Sequence, residues 1–286
     1  MEVCKFVDEV RALRWADSRQ TWGLVPTMGY LHEGHLSLVR RARAENDCVA
    51  VTIYVNPTQF APEEDLDEYP RDLERDLQLL EDEGVDLVFT PTDDVMYPTG
   101  FQTTVVVSEI TKLLEGASRP SHFQGVTTIV AKLFNIVQPT RAYFGQKDAQ
   151  QAVVVRRVVQ DLNFNVEIVV CPIIREADGL AMSSRNARLG PEEREAATVL
   201  YRALCAAQES IARGQQDGET LRSQMRNIVR DEPLARLDYV SVAHPHTLQE
   251  LDTVTEQALL SMAVFVGDVR LIDNMLLDAT ETARSG

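Results

Sequence analysis

Short apolar runs alternate with segments of helical periodicity over residues 21–174. The runs TWGLVPT, CVAVTIYVNP, DLVFTP, RAYFG and NVEIVVCPII have the composition of buried strands. Between two of them, residues 71–84 place Leu73, Leu77 and Leu80 on one helical face. This alternation predicts an α/β fold: a Rossmann-like parallel sheet flanked by helices.

Further elements follow from the same reading. We expect helices over residues 3–15, 126–137 and 150–162, and a strand in TTVVVSEI at residues 103–110. After READGLAMSSRN the regular alternation ends. The sequence there predicts helices over residues 191–213 and 218–229, followed by strands in LDYVSVAHP and ALLSMAVFVGDVRLIDNMLL. We therefore predict two domains, residues 1–174 and a smaller α/β domain over residues 175–286.

Charge and composition exclude several classes of protein. The chain of 286 residues has a net charge of -16, whereas a protein that binds duplex nucleic acid carries a basic face. No apolar run is long enough to span a bilayer, and the N-terminus MEVCKFVDEV lacks the apolar core of a signal peptide. We expect a cytoplasmic protein with no membrane partner. Four scattered cysteines predict buried, reduced thiols.

Three polar motifs follow predicted strands: LVPTMGYLHEGH, VNPTQF and FGQKD. Ligands of parallel sheets bind beyond the carboxyl ends of the strands, so these motifs should meet at one edge of the sheet. Gln59 in the second motif and Gln151 just after the third are neutral donors and acceptors that suit a hydroxy acid.

Two of the five histidines, His32 and His35, lie three residues apart in a glycine-rich turn that opens a helix. Backbone N–H groups at a helix N-terminus and imidazole donors together suit a phosphate group and the charge that grows during displacement at phosphorus. Metal ligation is an alternative, although the order His-Glu-Gly-His is not HExxH. Two structural loop histidines are the other alternative.

Two further loops carry candidate phosphate ligands. Lys147 follows a glycine at a predicted strand end, and Asp148 could accept from ribose hydroxyls or cap the next helix. In AMSSRN, two hydroxyls and a guanidinium suit a polyphosphate, although the segment could equally be a turn between domains.

The ordered set PTMGYLHEGH, VNPTQF, YPR, HFQGV, KLFNIVQP, FGQKDAQQ and READGLAMSSRN resembles the pantothenate synthetase (pantoate–β-alanine ligase) family of the HxGH nucleotidyltransferases. The resemblance covers most of residues 24–190, and Gln146 stands where many members carry glutamate. It implies that the carboxylate of pantoate attacks the α-phosphorus of ATP, releasing pyrophosphate, and that β-alanine then attacks the pantoyl adenylate to give pantothenate and AMP.

The resemblance also implies roles for individual residues. His35, His32 and Lys147 would be catalytic, with His35 as proton donor. Gln59 and Gln151 would bind pantoate, and Gln59 would also lie near β-alanine. The residues implied in ATP binding are Met28, Gly29, Tyr30, Leu31, His32, Glu33, Gly34, His35, Gly145, Gln146, Lys147, Asp148, Ile174, Met182, Ser183, Ser184 and Arg185.

The family further implies a homodimer in which the C-terminal domain covers the active site. Mg²⁺ should arrive with ATP, neutralising phosphate charge. Asp72 and Asp76, one helical turn apart, could help to hold it, but we expect them to be solvated surface. Two rival functions remain: a nucleotidyltransferase that makes a dinucleotide or a CDP-alcohol, and a sensor that binds ATP without turnover.

Overall fold

The computed structural model describes residues 1–278, which form two compact units. The first comprises Met1–Thr111, Arg119–Gln146 and Gln151–Ile174. The second comprises Lys112–Ser118, Lys147–Gln150 and the described residues from Arg175 onward. Two short segments of the first 174 residues thus belong to the second compact unit.

The first unit is built on a six-stranded parallel sheet. Its strands are β1 (Glu2–Cys4), β2 (Trp22–Thr27), β3 (Cys48–Ile53), β4 (Leu87–Phe89), β5 (Arg141–Gly145) and β6 (Glu167–Cys171). They lie in the order β1-β4-β3-β2-β5-β6, and every pair is parallel. The predicted α/β fold with a parallel sheet is confirmed.

Both faces of this sheet are covered, because alternate residues of each strand enter different apolar clusters. Leu24 and Ala50 pack in one cluster with apolar side chains of helices, among them Val10 and Val130. Val25 and Val51, the next residues along the same strands, pack in the second cluster. All four side chains are completely buried, which explains why these strands read as continuous apolar runs.

The helices are α1 (Val7–Arg14), α2 (Glu33–Glu45), α3 (Leu73–Asp82), α4 (Asp93–Met96), α5 (Glu115–Ser118), α6 (His122–Val137), α7 (Ala149–Asp161), α8 (Pro191–Ala196), α9 (Val199–Ala212) and α10 (Gly218–Arg230). None of the helices within residues 1–278 is long and apolar enough to cross a membrane. Helix α6 is the most deeply buried: twelve of its sixteen residues are buried. It is the predicted helix at residues 126–137, extended at its N-terminus.

The topology brings the three predicted motif strands together. β2 lies between β3 and β5 and is parallel to both. Their last residues, Thr27, Ile53 and Gly145, therefore lie at the same edge of the sheet. The expectation that these strands end at one edge is confirmed.

The second unit contains a three-stranded antiparallel sheet in the order β7-β8-β9, formed by β7 (Ala235–Ala243), β8 (Gln257–Val266) and β9 (Val269–Asp278). Apolar side chains of α9 and α10, including Leu204 and Met225, pack in one cluster with Leu260 and Leu271 of the sheet. Antiparallel strands of this kind can bury one face against helices and leave the other for polar side chains.

Three predicted elements differ from the structure. Residues 2–4 form β1, because they pair in parallel with β4, and the predicted helix over residues 3–15 is reduced to α1. The predicted helix over residues 191–213 is divided into α8 and α9 by turn-type hydrogen bonds, including Thr198 N–H to the Glu195 carbonyl at 3.2 Å.

TTVVVSEI is not a strand of either sheet. The Val105 N–H donates to Thr128 Oγ1 at 3.0 Å, and Thr127 Oγ1 donates to the Val105 carbonyl at 2.5 Å. Hydroxyls of α6 thus satisfy both backbone groups of Val105, which a neighbouring strand would otherwise pair.

The cysteines are reduced, as predicted. Cys4, Cys48 and Cys171 are buried, and burial raises the pKa of each thiol. Cys205 is only half-buried, so the expectation of burial was wrong for this residue. It lies on α9.

Candidate active site

The turn after β2 has a strained backbone and a buried carboxylate beneath it. Gly29 and Tyr30 both have positive φ, 82° and 51°, a conformation that favours glycine at the first position. The N–H groups of Tyr30 and Leu31 donate to the two carboxylate oxygens of Asp76, each at 2.7 Å. Asp76 therefore determines the path of the chain into α2.

Asp76 is 1% exposed, so the expectation that it is solvated surface was wrong. Burial raises the pKa of this carboxyl, and the hydrogen bonds from Leu31 and Tyr30 oppose the shift. Arg75 Nη1, 3.7 Å from the carboxylate, also donates to the Leu31 carbonyl at 2.9 Å. The charge of Asp76 is thus compensated locally by N–H groups and one guanidinium.

His32 and His35 lie side by side at the start of α2. Their ring centroids are 4.1 Å apart, as the three-residue spacing predicts. His32 is the N-cap, where its Nδ1 accepts from the Gly34 N–H at 3.1 Å, and His35 Nδ1 accepts from the His32 N–H at 3.4 Å. With both Nδ1 atoms accepting, a neutral ring carries its proton on Nε2, the atom that can donate to an anion.

Gln59 brings the second motif to this turn. It ends the 3₁₀ turn Pro57–Gln59 after β3, and its Nε2 donates to Met28 Sδ at 3.0 Å. Its Oε1 accepts from Asn56 Nδ2 at 3.2 Å. A residue predicted to bind the nucleotide and one predicted to bind the acid therefore touch each other.

The sequence did not point to Asn56 and Tyr97, which form a hydrogen-bonded network with the Pro57–Gln59 turn. Asn56 is 1% exposed, and its Oδ1 accepts from the Tyr97 hydroxyl at 2.8 Å and from Thr58 Oγ1 at 2.9 Å. Burial raises the pKa of the Tyr97 hydroxyl. The position of Asn56 three residues after β3, directly before proline, was the available signal.

The backbone of Gln59 is held by residues 119–123, with the sequence RPSHF. Its carbonyl accepts from Arg119 Nη2 at 3.3 Å and lies 2.9 Å from His122 Nδ1. Arg119 also makes a bidentate ion pair with Glu64, with both nitrogen–oxygen distances at 2.6 Å. Burial acts to raise the pKa of the Glu64 carboxyl, but the hydrogen bonds and charge of Arg119 outweigh it, so the pKa is lowered.

Gly125 of α6 lets the helix approach this turn. A Cβ at Gly125 would lie 2.4 Å from the Thr58 carbonyl oxygen and 2.5 Å from the Gln59 nitrogen. Only glycine therefore fits without displacing the backbone that carries Gln59.

The remaining predicted residues of the first unit are Glu33, Gly145, Gln146, Gln151 and Ile174. Gly145 ends β5, Gln146 begins the 3₁₀ turn Gln146–Asp148, and Gln151 lies in the first turn of α7. Ile174, half-buried, is the last residue of this unit. Glu33 begins α2, and its carboxylate pairs with Arg40.

Lys147, Asp148 and the AMSSRN segment belong to the second unit. Lys147 Nζ lies 3.7 Å from Asp148 Oδ1, and the lysine side chain is 20% exposed. Ser183 caps the 3₁₀ helix Ser184–Arg188, with its Oγ accepting from the Arg185 N–H at 3.3 Å. Met182 and Arg185 are half-buried, and Ser184 is buried.

Metal ligands are not gathered anywhere in the described chain: within residues 1–278, no three His, Cys, Asp or Glu side chains are arranged to hold an ion. One oxygen of Asp72 caps α3 by accepting from the Arg75 N–H at 3.1 Å, and both oxygens of Asp76 accept backbone N–H groups. This pair is therefore not assigned to Mg²⁺.

A parallel sheet with paired imidazoles at its carboxyl edge defines an α/β nucleotide-binding enzyme of the HxGH class. Residues 2–276 match the family model described as pantoate-beta-alanine ligase. The chain belongs to the pantoate–β-alanine ligase family, and its activity is the ATP-dependent condensation of pantoate with β-alanine.

Relatives are similar over nearly the whole chain. The pantothenate synthetase of Roseiflexus sp. (strain RS-1) is 63% identical over 279 residues, which cover 98% of this chain and 100% of that protein. The crystal structure of pantothenate synthetase from Thermus thermophilus is 50% identical, covers 98% of this chain and 99% of its own, and has a TM-score of 0.92.

A third relative was crystallised with ligands. The pantoate-beta-alanine ligase from Francisella tularensis, described as complexed with beta-gamma ATP and beta-alanine, is 36% identical, with a TM-score of 0.79. It covers 96% of this chain and 97% of its own.

Proposed function

We propose that this enzyme works through a pantoyl adenylate formed beside the His32–His35 turn. A carboxylate oxygen of (R)-pantoate attacks the α-phosphorus of ATP, and the bond from that phosphorus to the pyrophosphate oxygen breaks. The β-alanine amine then attacks the acyl carbon and loses a proton, and AMP leaves with the former carboxylate oxygen. The observation that carries the proposal is the pair of imidazoles, 4.1 Å apart, at the N-terminus of α2.

We assign the proposed catalytic roles from the hydrogen-bond donors at the start of α2 and from Lys147. Imidazole Nε2–H groups and the N–H groups at the start of α2 stabilise negative charge as it moves from the attacking carboxylate to the pyrophosphate. His35 serves as proton donor, and His32 assists at the phosphate oxygens. Lys147 contributes a compact positive charge to the phosphates.

The acid site is proposed to lie around Gln59 and Gln151. The contact between Gln59 Nε2 and Met28 Sδ supports this assignment, because it brings an amide that can bind the acid next to the nucleotide turn. Gln59 is also proposed to lie near β-alanine, a ligand named for the Francisella tularensis relative.

The nucleotide site is proposed to use residues 28–35 and Gly145, Gln146, Lys147, Asp148, Ile174, Met182, Ser183, Ser184 and Arg185. Mg²⁺ is proposed to arrive on the phosphates of ATP, where it neutralises part of their charge. We further propose a cytoplasmic homodimer that uses no nucleic-acid or membrane partner. Light scattering at micromolar concentration tests the dimer, and a monomer mass would contradict it.

The first test is the reaction itself. The protein mixed with ATP and pantoate should release pyrophosphate before β-alanine is added, and AMP and pantothenate should follow its addition. Release that requires a phosphorylated alcohol instead of pantoate would support the rival nucleotidyltransferase. ATP binding without turnover, with both acids present, would support a sensor.

The second test concerns the proposed residues. His35→Ala and Lys147→Ala should each slow pyrophosphate release in a single turnover, by roughly 2–4 kcal/mol of barrier if the two groups act as preorganised donors. The exposed His246 and Lys5 offer matched controls, since His246→Ala and Lys5→Ala should leave the rate unchanged. Near-normal rates in both site variants would refute these roles.

A further inference from the structure

Strand β9 carries three polar side chains in the sequence RLIDN: Arg270, Asp273 and Asn274. Asp273 and Asn274 are 2% and 3% exposed. Buried polar and charged groups are stable only when they are paired, so the identity of their partners indicates what the strand supports. All partners described below belong to the second unit.

Asn274 holds the backbone of Lys147. Its Nδ2 donates to the Lys147 carbonyl at 2.8 Å. The amide is itself oriented by its backbone: the Asn274 N–H donates to Asp273 Oδ1 at 2.7 Å, and the Asn274 carbonyl accepts from Arg175 Nη2 at 3.2 Å. The hydrogen bond to Lys147 therefore starts from a strand residue whose backbone N–H and carbonyl are both hydrogen-bonded to side chains.

Asp273 and Arg175 brace this arrangement. Arg175 donates to both carboxylate oxygens of Asp273, at 2.6 and 3.0 Å. Burial raises the pKa of the Asp273 carboxyl, while Arg175, and Lys147 more weakly, oppose the shift. Arg175 also donates to the Gly179 carbonyl at 3.0 Å and lies 4.4 Å from the centre of the Tyr201 ring.

The other end of the Lys147–Gln150 segment is held through Gln150. Its Oε1 accepts from the Glu115 N–H at 2.9 Å, and its Nε2 donates to the Leu113 carbonyl at 2.8 Å. Glu115 in turn accepts from two guanidinium nitrogens of Arg270, at 2.7 and 3.0 Å. Polar residues of one strand thus support both ends of the segment that contains Lys147.

We propose that Asn274 is a positioning residue for catalysis, which fixes the backbone of Lys147 so that its ammonium is preorganised for the phosphates of ATP. The proposal rests on the phosphate role of Lys147 proposed above. A lysine ammonium sits on a flexible four-carbon stem, so a fixed backbone is the part of its position that the protein can determine in advance.

The test replaces the amide at residue 274. Asn274→Ala removes the donor, and Asn274→Asp keeps the size while placing an acceptor opposite a carbonyl. Each should slow single-turnover pyrophosphate release by about tenfold to hundredfold, the effect of a displacement near 1 Å. Asn274→Asp changes the shape of the core least, so it serves if Asn274→Ala folds poorly.

Ser261 offers a matched control in the same row of the sheet. It lies directly opposite Asn274 on β8 and is 6% exposed, and its Oγ has no hydrogen-bond partner among residues 1–278. Ser261→Ala should retain the wild-type rate. A loss as large as that of Asn274→Ala would show that the rate responds to any change in this part of the sheet, and it would overturn the proposal.

A double variant separates this proposal from the role of Lys147. In the Lys147→Ala background, adding Asn274→Ala should cause little further loss, because the residue that Asn274 positions is already absent. Full multiplication of the two losses, or a wild-type rate for Asn274→Ala alone, would overturn the positioning role and leave Lys147 as proposed. A wild-type rate for Lys147→Ala would instead refute the phosphate role, and the inference with it.

Discussion

Asp76 in the first unit and Asn274 in the second each hydrogen-bond to the backbone of a segment proposed for the active site. Asp76 does so as an acceptor and Asn274 as a donor. Asp76 accepts two N–H groups, from Tyr30 and Leu31, whereas Asn274 donates one N–H to the Lys147 carbonyl. A turn with positive φ directs successive N–H groups to one side, where a carboxylate can collect both. A carbonyl requires a donor.

The difference in charge also matters. The anionic Asp76 is compensated by two N–H groups and by Arg75. The Asn274 amide is neutral, so it adds no negative charge beside Lys147, whose ammonium already lies 3.7 Å from Asp148 Oδ1. A titratable group, Asp76, thus holds the turn before α2, whereas Asn274, which does not titrate, holds the Lys147 backbone.

The largest expected effect comes from Asp76→Ala. It leaves the Tyr30 and Leu31 N–H groups without their acceptors and releases the turn that positions His32, so pyrophosphate release should fall roughly hundredfold. The midpoint of thermal unfolding should fall too, because each buried N–H without a partner costs about 1–3 kcal/mol.

Asp72→Ala on the same helix is the matched control. Asp72 is exposed and caps α3, so its loss should cost about 1 kcal/mol of stability and leave the rate nearly unchanged. Equal loss of activity in both variants would mean that α3 as a whole, and not the carboxylate under the turn, supports the site.

A smaller effect is expected from Gly125→Ala. Its Cβ would collide with the turn that carries Gln59, so we expect the KM for pantoate to rise about tenfold while the KM for ATP changes little. Gln124→Ala, at the exposed neighbouring position, is the control. An unchanged KM for pantoate in Gly125→Ala would argue against Gln59 as a pantoate ligand.

The smallest effect concerns pH. Burial raises the pKa of Asp76, so the folded state holds this proton to a higher pH than the unfolded chain. Its contribution to the free energy of unfolding is therefore largest below the ordinary carboxyl pKa and is lost as pH rises through the raised pKa. Acid should not unfold the first unit through this group.

Activity should change in the opposite direction. A protonated carboxyl accepts two N–H groups less strongly, so the rate ratio of wild type to Asp76→Asn should fall a few-fold as pH decreases through the raised pKa. The rate ratio of wild type to Asn274→Ala should change less, because the amide does not titrate and the neighbouring Asp273 carboxyl is paired with Arg175 in both proteins. Parallel pH profiles for both ratios would remove the proposed contrast between the units.

Particular residues show which features of the fold and the site could be predicted from the sequence. The strands, the paired histidines and the order of the motifs are local features, and they predicted the parallel sheet and the shared edge of β2, β3 and β5. Asp76 was misread because helical spacing places it one turn after an exposed acid, and nothing local shows that a distant turn covers it. TTVVVSEI was wrongly predicted as a strand, because nothing local shows that two threonines of α6 pair with both backbone groups of Val105.

The order of residues along the chain was enough to establish the fold class, the family and the positions of the motifs, because periodicity and motif spacing are properties of short segments. The supports of those motifs became visible only in the folded chain: Asp76 under Tyr30 and Leu31, Gly125 against Gln59, and Asn274 behind Lys147. In each case the partners are separated by dozens of residues along the chain, and a hydrogen bond or a close contact depends on distance in space.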